Sequence, residues 1–154
     1  MLTRLHAVDL IVYDAAKASI AAAYPFSAKP TSHRVEIRNR TLHALCAIDA
    51  LGIPFMLDTP GQIRSECFWC HAAVEVDVAD GEIRAHRLAG LVAWYPEKDS
   101  CGCVATSRCF LINFFCTADH LAAWRDTSPG EQGTALSLDE AMEAGRMIFE
   151  NLLR

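Results

Sequence analysis

The sequence predicts an α+β fold with mainly antiparallel sheets and about three helices. Strand-like and helix-like segments do not alternate regularly along the chain, which disfavours a doubly wound parallel sheet. Tight turns join neighbouring strands, most clearly at Ala79–Gly81, which is typical of antiparallel hairpins. The two helix-like segments at the end of the chain have recognisable start signals. With 154 residues, we expect a single domain over residues 1–154.

The predicted strands are short segments in which apolar and polar residues alternate or in which most residues are apolar. Turn residues or prolines lie at their ends. They are Val8–Tyr13, Ile20–Tyr24, His33–Ile37, Gln62–Cys67, Val74–Val78, Glu82–Ala85 and Leu88–Tyr95. The first two flank a turn at Asp14–Lys17, so residues 1–30 are predicted to form an N-terminal hairpin segment. A very apolar segment, Cys109–Cys116, follows the last strand.

Three helices are predicted from apolar spacings of three and four residues. They are Thr41–Leu51, Ala118–Arg125 and Ala141–Leu153. Gly52 and Pro54 supply a stop for the first, and Thr117 is an N-cap for the second. Ser137 and Glu140 have the spacing of a capping box ahead of the third.

The composition excludes several classes of protein. Hydrophobic residues make up 52% of the chain and charged residues 21%, as in ordinary globular proteins. Acids outnumber bases 19 to 14 and no Lys or Arg run is present, so no nucleic-acid partner is expected. The longest uncharged stretch, Ala18–Ala28, is too short for a membrane helix, and residues 1–10 do not read as a signal peptide. We therefore expect a cytoplasmic protein without membrane contact.

The cysteines stand out in this composition. There are seven of them: Cys46, Cys67, Cys70, Cys101, Cys103, Cys109 and Cys116. An odd number without an export signal argues against a disulfide framework. Each thiol is then a buried core residue, a metal ligand or a nucleophile.

Cys46 and Asp49 form the first candidate site. A spacing of three on the predicted helix makes their side chains neighbours within an almost wholly apolar segment. Desolvation there would raise the pKa of Asp49, which suits a group that takes a proton from a thiol and later returns it. Cys46 should stay protonated until an electrophile or a metal draws the thiolate out. The alternative is that Asp49 is exposed and Cys46 only packs.

Three ordered motifs resemble the organomercurial lyase (alkylmercury lyase) family. They are Leu45–Leu51 with Ile53–Phe55, then Ile63–Cys67, and then Cys109–Phe115. The similarity extends from about Thr31 to Leu153. The resemblance implies the α+β catalytic core of that family, with Cys46, Asp49 and Cys109 as catalytic residues and Cys67 as a structural cysteine.

The chemistry that the resemblance implies is the protonolysis of a carbon–mercury bond. Mercury(II) is a soft cation that thiolates select, so Cys46 and Cys109 would hold it while Asp49 relays the proton to carbon. No organic cofactor is required, because the mercury arrives with a small organometallic substrate. The Hg²⁺ left behind would pass to a low-molecular-weight thiol or to a mercury reductase.

One departure from the family keeps two other functions open. Characterised members carry an additional N-terminal helical domain, whereas only the divergent residues 1–30 precede the motifs here. One alternative is therefore a lyase-family relative that acts on another small electrophile. The other is a non-catalytic thiol protein that binds soft metals.

The remaining thiols suggest a second metal site. Cys67 and Cys70 have the Cys-x-x-Cys spacing of zinc ligands, and Cys101 and Cys103 would complete a set of four. This set would hold a structural zinc or hand off mercury, or the last two thiols lie in a loop without a specific role. Cys116 is interpreted as a core residue and His71 as a partly exposed polar residue. Asn113 is either a buried hydrogen-bonding residue that fixes the site, which we favour, or a strand residue that faces solvent.

Overall fold

The computed structural model describes residues 2–7, 10–97 and 108–153. Within them the chain forms four helices and three antiparallel sheets, which confirms the α+β prediction. The strands are β1 (Ile11–Asp14), β2 (Ser19–Ala23), β3 (Phe26–Ser27), β4 (Arg34–Ile37), β5 (Arg40–His43), β6 (Gly61–Glu66), β7 (Ala73–Ala79), β8 (Glu82–His86), β9 (Val92–Pro96), β10 (Phe114–Phe115) and β11 (Gly133–Ser137). The helices are α1 (Leu2–Ala7), α2 (Ala47–Met56), α3 (Ala118–Thr127) and α4 (Leu138–Phe149), and a 3₁₀ turn spans Cys109–Leu111.

The largest sheet has five strands in the order β5-β4-β6-β7-β8. Its inward face carries fully buried apolar residues, among them Val35, Ile63 and Val76, which pack in one core with α2. The β7–β8 turn places Asp80 and Gly81 at positive φ, as a tight hairpin turn requires. A second sheet, β10-β9-β11, and a third, β1-β2-β3, complete the fold. The hairpin predicted near the N-terminus is confirmed by β1 and β2, whereas the short α1 was not predicted.

The first predicted helix is wrong at both ends. Its beginning is β5, which pairs antiparallel with β4 through a turn where Arg38 and Asn39 have positive φ. The helix itself begins after Cys46 and continues through Gly52 and Pro54. Gly52 does not stop it, because this glycine lies where α2 meets α4 and a Cβ would overlap the Phe149 ring. All ten residues of α2 are buried, so tertiary packing outweighs the local stop signals.

Of the two C-terminal helices, α3 begins at Ala118 as predicted, whereas α4 begins at Leu138, ahead of the predicted Ala141, and ends at Phe149 instead of Leu153. The Thr117 side chain accepts a hydrogen bond from the backbone N–H of His120 at the start of α3. Ser137 and Glu140 form the full capping box of α4. None of the helices in the described part of the chain has the length and hydropathy of a membrane-spanning segment.

Candidate functional site

Cys46 is the N-cap of α2, and Asp49 lies in its first turn. The backbone of Cys46 is extended, and its Sγ accepts a hydrogen bond from the backbone N–H of Asp49 at 3.3 Å. The two side chains are therefore neighbours, as the spacing predicts, but the cause is a cap and not a shared helix face. A cap fixes the sulfur at the positive end of the helix dipole.

Cys109 reaches this helix end from a distant part of the sequence. Its segment is tied to α2 by a hydrogen bond from the backbone N–H of Ala47 to the carbonyl of Ile112, 3.0 Å long. The Cys109 Sγ lies 3.9 Å from Oδ2 of Asp49. One ligand atom from each of Cys46, Asp49 and Cys109 lies within 4.8 Å of the others. The structure thus brings Cys109 together with Cys46 and Asp49, the three catalytic residues that the family resemblance implies, and we call them the buried trio.

Burial controls the protonation of the buried trio. Cys46 and Asp49 are 1% exposed and Cys109 is 3% exposed. Desolvation raises the pKa of Asp49 to about 7, although interactions with the side chains of Cys46, Tyr24 and Cys109 act in the opposite direction. Desolvation also raises the pKa of Cys46 well above its ordinary value. Near neutral pH the Cys46 thiol is therefore protonated, while the Asp49 carboxyl can both take up and give back a proton.

One oxygen of Asp49 lacks a partner. Oδ1 is buried and has no hydrogen bond among the residues that the structure describes. An unsatisfied buried carboxylate oxygen costs folding free energy, and protonation reduces that cost. This is the kind of strained polar group that a fold retains at a site of chemistry.

Tyr24 is a site residue that sequence reasoning missed. It follows β2, its ring packs against Phe149 with centroids 5.2 Å apart, and it faces the buried trio. Burial raises the pKa of Tyr24, and the nearby Asp49 adds to that rise. Its hydrogen bonding with Asp49 lowers the pKa of the carboxyl. No motif spacing relates Tyr24 to Asp49, since only the folded N-terminal segment brings them together.

A buried polar chain supports the Cys109 segment. His33 contacts Ser65 Oγ through Nδ1 at 2.9 Å and Asn113 Oδ1 through Nε2 at 3.2 Å. Asn113 in turn donates to the Phe110 carbonyl at 2.7 Å, so it is the buried hydrogen-bonding residue that the sequence predicts. Burial lowers the pKa of His33 to about 4, which keeps the ring neutral. His33 was expected only as part of a strand.

Comparison with known proteins decides the family. The family model described as "MerB: Alkylmercury lyase" matches residues 26–150, most of the chain. The chain belongs to the alkylmercury lyase family. This agrees with the resemblance carried by the three sequence motifs.

The individual relatives share less than 30% sequence identity with this chain, and their own chains are longer. An alkylmercury lyase of Streptomyces lividans is 28% identical over 80% of this chain, and one of Bacillus cereus is 27% identical over 77% of it. The chain matches only 57% and 54% of the length of these two relatives. A solved structure titled "Crystal structure of the mercury-bound form of MerB2" has a TM-score of 0.85 and 28% identity, covering 97% of this chain and 72% of the other.

A second cluster of ligand-type side chains lies apart from the buried trio in this alkylmercury lyase fold. It comprises Cys67, Cys70, Cys116 and His120, whose ligand atoms all lie within 4.8 Å of one another. We call it the CCCH cluster. Cys67 and Cys70 were predicted as ligands together with Cys101 and Cys103, but the latter two lie outside the described residues. Sequence reasoning missed His120.

The residues around the CCCH cluster add to the interpretation of Cys116 and confirm that of His71 as a polar surface residue. Cys116 is buried, but its sulfur lies 3.0 Å from Nδ1 of His120 and not only among apolar core atoms. His71 points elsewhere, with Nδ1 3.4 Å from a Glu66 oxygen. Burial raises the pKa of the Cys67 thiol, but backbone hydrogen bonds at Cys116 and Cys70 outweigh it and lower the pKa to about 6.

Proposed function

We propose that this chain is an organomercurial lyase that cleaves a carbon–mercury bond by protonolysis. The observation that carries the proposal is the buried trio, two thiols and one carboxyl within 4.8 Å of one another. Curated relatives named alkylmercury lyase support the substrate class.

The first step is capture of the substrate cation R–Hg⁺ by sulfur. Thiolates are the protein ligands that soft cations prefer. A buried thiol must lose its proton to bind, and the Asp49 carboxylate is the nearby base, with Cys109 Sγ 3.9 Å from its Oδ2. With a pKa of about 7, Asp49 accepts this proton readily near neutral pH.

The second step breaks the carbon–mercury bond. The second thiol also binds the metal and loses its proton, which is the H⁺ released in the overall balance, and the added electron density makes the carbon more like a carbanion. Protonated Asp49 then gives its proton to that carbon and the hydrocarbon leaves. In balance, R–Hg⁺ and two thiols yield RH, a mercury bis-thiolate on Cys46 and Cys109, and one H⁺. No electron acceptor or organic cofactor enters this equation.

The last step regenerates the free thiols of Cys46 and Cys109. A bis-thiolate of mercury exchanges with other thiols, so an external thiol can remove Hg²⁺ from Cys46 and Cys109 in two exchange steps. We infer that the acceptor is a low-molecular-weight thiol or the cysteine pair of a mercury reductase. The buried trio holds Hg²⁺ through only two sulfurs, so two incoming thiols are enough to replace all of its sulfur ligands.

The experiment is to incubate the protein with phenylmercury and excess thiol in D₂O and to analyse the benzene by mass spectrometry. We expect repeated turnover, with one deuterium in each benzene molecule, because solvent supplies the transferred proton. Cys46→Ser and Cys109→Ser should each abolish catalytic turnover. Phenylmercury bound without benzene release would favour a thiol metal-binding protein. No binding above the protein-free control would favour a relative that acts on another electrophile.

A further inference from the structure

The CCCH cluster is built from two short segments that the mechanism above does not use. One is the loop between β6 and β7, which carries Cys67-x-x-Cys70. The other is the junction of β10 and α3, which carries Cys116-x-x-x-His120. Two ligand pairs at spacings of three and four residues, from two separate segments, are the usual arrangement of a structural zinc site.

The separations within the CCCH cluster match a tetrahedral ion. Ligand atoms about 2.3 Å (sulfur) and about 2.0 Å (nitrogen) from zinc lie roughly 3.5–3.8 Å apart. The Cys70 and Cys116 sulfurs are 3.7 Å apart, and Cys67 Sγ is 3.7 Å from Nδ1 of His120. The Cys116–His120 pair, at 3.0 Å, is shorter and would open slightly around an ion.

The backbone holds both segments in place independently of a metal. In the loop, the N–H of His71 donates to the Cys67 carbonyl at 2.9 Å. The N–H of Phe68 donates to the Phe114 carbonyl at 2.8 Å, which joins the loop to β10. The Thr117 cap fixes the first turn of α3 and with it the position of His120. The four ligands are therefore preorganised, which lowers the entropy cost of binding.

We propose that Cys67, Cys70, Cys116 and His120 bind a structural zinc ion. Three thiolates and one imidazole fill all four positions of a tetrahedral Zn²⁺, and no position stays open for a substrate. Cys67 and Cys116 are buried while Cys70 is exposed, so the ion can enter from solvent and the thiol protons can leave to it. The zinc joins the β6–β7 loop to β10 and α3.

The ligand set differs from the one expected from the sequence. Cys67 and Cys70 are ligands in both sets. The other two ligands are Cys116 and His120, where the sequence suggested Cys101 and Cys103. The Nδ1 of His120 lies close to the sulfurs of both Cys67 and Cys116. A shared metal ion accounts for this arrangement, whereas a packing role for Cys116 alone does not.

The test is the zinc content of the purified full chain, measured by plasma mass spectrometry after dialysis. We expect about one zinc per chain, retained in Cys46→Ser and in His71→Ala, which serve as matched controls. Cys116→Ser and His120→Ala should lose it, whereas His120→Cys, which keeps four ligands, should retain it. Zinc absent from the wild type, or retained in both loss variants, overturns the proposal.

Cobalt substitution gives a readout that does not depend on variants folding. After zinc is removed with a chelator, Co²⁺ added to the wild type should produce thiolate charge-transfer bands and the intense visible bands of a tetrahedral site. Octahedral cobalt spectra, or a Cys70–Cys116 disulfide found by mass spectrometry in reductant, would contradict the assignment. Zinc removal should also lower the melting temperature, since the ion binds only the folded chain.

Discussion

The buried trio and the CCCH cluster place their cysteines in different surroundings. The buried trio has two sulfurs beside a carboxyl, all nearly inaccessible. The CCCH cluster has three sulfurs and an imidazole, with Cys70 open to solvent. Two sulfurs leave a bound metal able to keep a further bond, while four ligands complete its coordination. A carboxyl whose pKa is raised to about 7 supplies a movable proton, and the CCCH cluster contains no carboxyl.

If both proposals hold, the number of thiols alone does not predict reactivity. What separates a reactive site from a structural one is an unfilled coordination position and a proton donor in contact with it.

The largest effect is expected for Asp49→Asn on hydrocarbon release. The amide keeps the size of the carboxyl but cannot carry the proton, so release from phenylmercury should slow by about 10²- to 10⁴-fold. Both sulfurs remain, so stoichiometric Hg²⁺ binding should persist. Single-turnover benzene release and a mercury-binding titration measure the two quantities. A rate within tenfold of the wild type would remove Asp49 from the mechanism.

A smaller effect of Asp49→Asn is expected on the way the free energy of unfolding changes with pH. The pKa of Asp49 is raised from 3.8 to about 7 in the fold, so the folded state holds this proton more tightly than the unfolded state. The resulting stabilisation is full below about pH 4 and is lost as the pH rises to about 7. Relative to the wild type, Asp49→Asn should therefore gain about 3 kcal/mol in unfolding free energy between about pH 5 and pH 8.

His33 also makes the free energy of unfolding depend on pH, and the measurement must separate its contribution from that of Asp49. Its pKa is lowered to about 4, so its stabilisation is present above its ordinary value of 6.5 and is lost as the pH falls through about 4. Taking the difference between variant and wild type at each pH cancels that term. The exposed Asp126→Asn should differ from the wild type by no more than about 0.5 kcal/mol throughout. A pH-independent difference for Asp49→Asn would mean that its carboxyl is not desolvated.

The smallest effect is expected for Tyr24→Phe. Tyr24 lowers the pKa of Asp49 against the desolvation that raises it. Loss of the hydroxyl should raise the pKa of Asp49 by roughly one pH unit and move the pH profile of hydrocarbon release upward by the same amount. Tyr13→Phe, in β1, is the matched control and should leave the profile in place. A downward movement would show that the hydroxyl stabilises the protonated form of Asp49.

Local signals predicted several features because their causes are local. The β7–β8 hairpin follows from its turn residues, and the capping box of α4 from Ser137 and Glu140. The Cys46–Asp49 neighbourhood also followed from a spacing of three, although the structure produces it through an N-cap. The ends of α2 were not predictable in this way, because buried contacts with α4 carry the helix past Gly52 and Pro54.

The sequence by itself determined the supply of groups: seven thiols, a carboxyl three residues from one of them, and motifs sufficient to indicate the family. The family motifs also implied that Cys109 acts with Cys46 and Asp49, but only the tertiary structure decided how the groups of each cluster meet. Cys109 approaches Asp49 from 60 positions away, and Cys116 and His120 complete a cluster begun by Cys67 and Cys70. Hydrogen bonds and packing between distant segments set these approaches, and residue spacing carries no information about them.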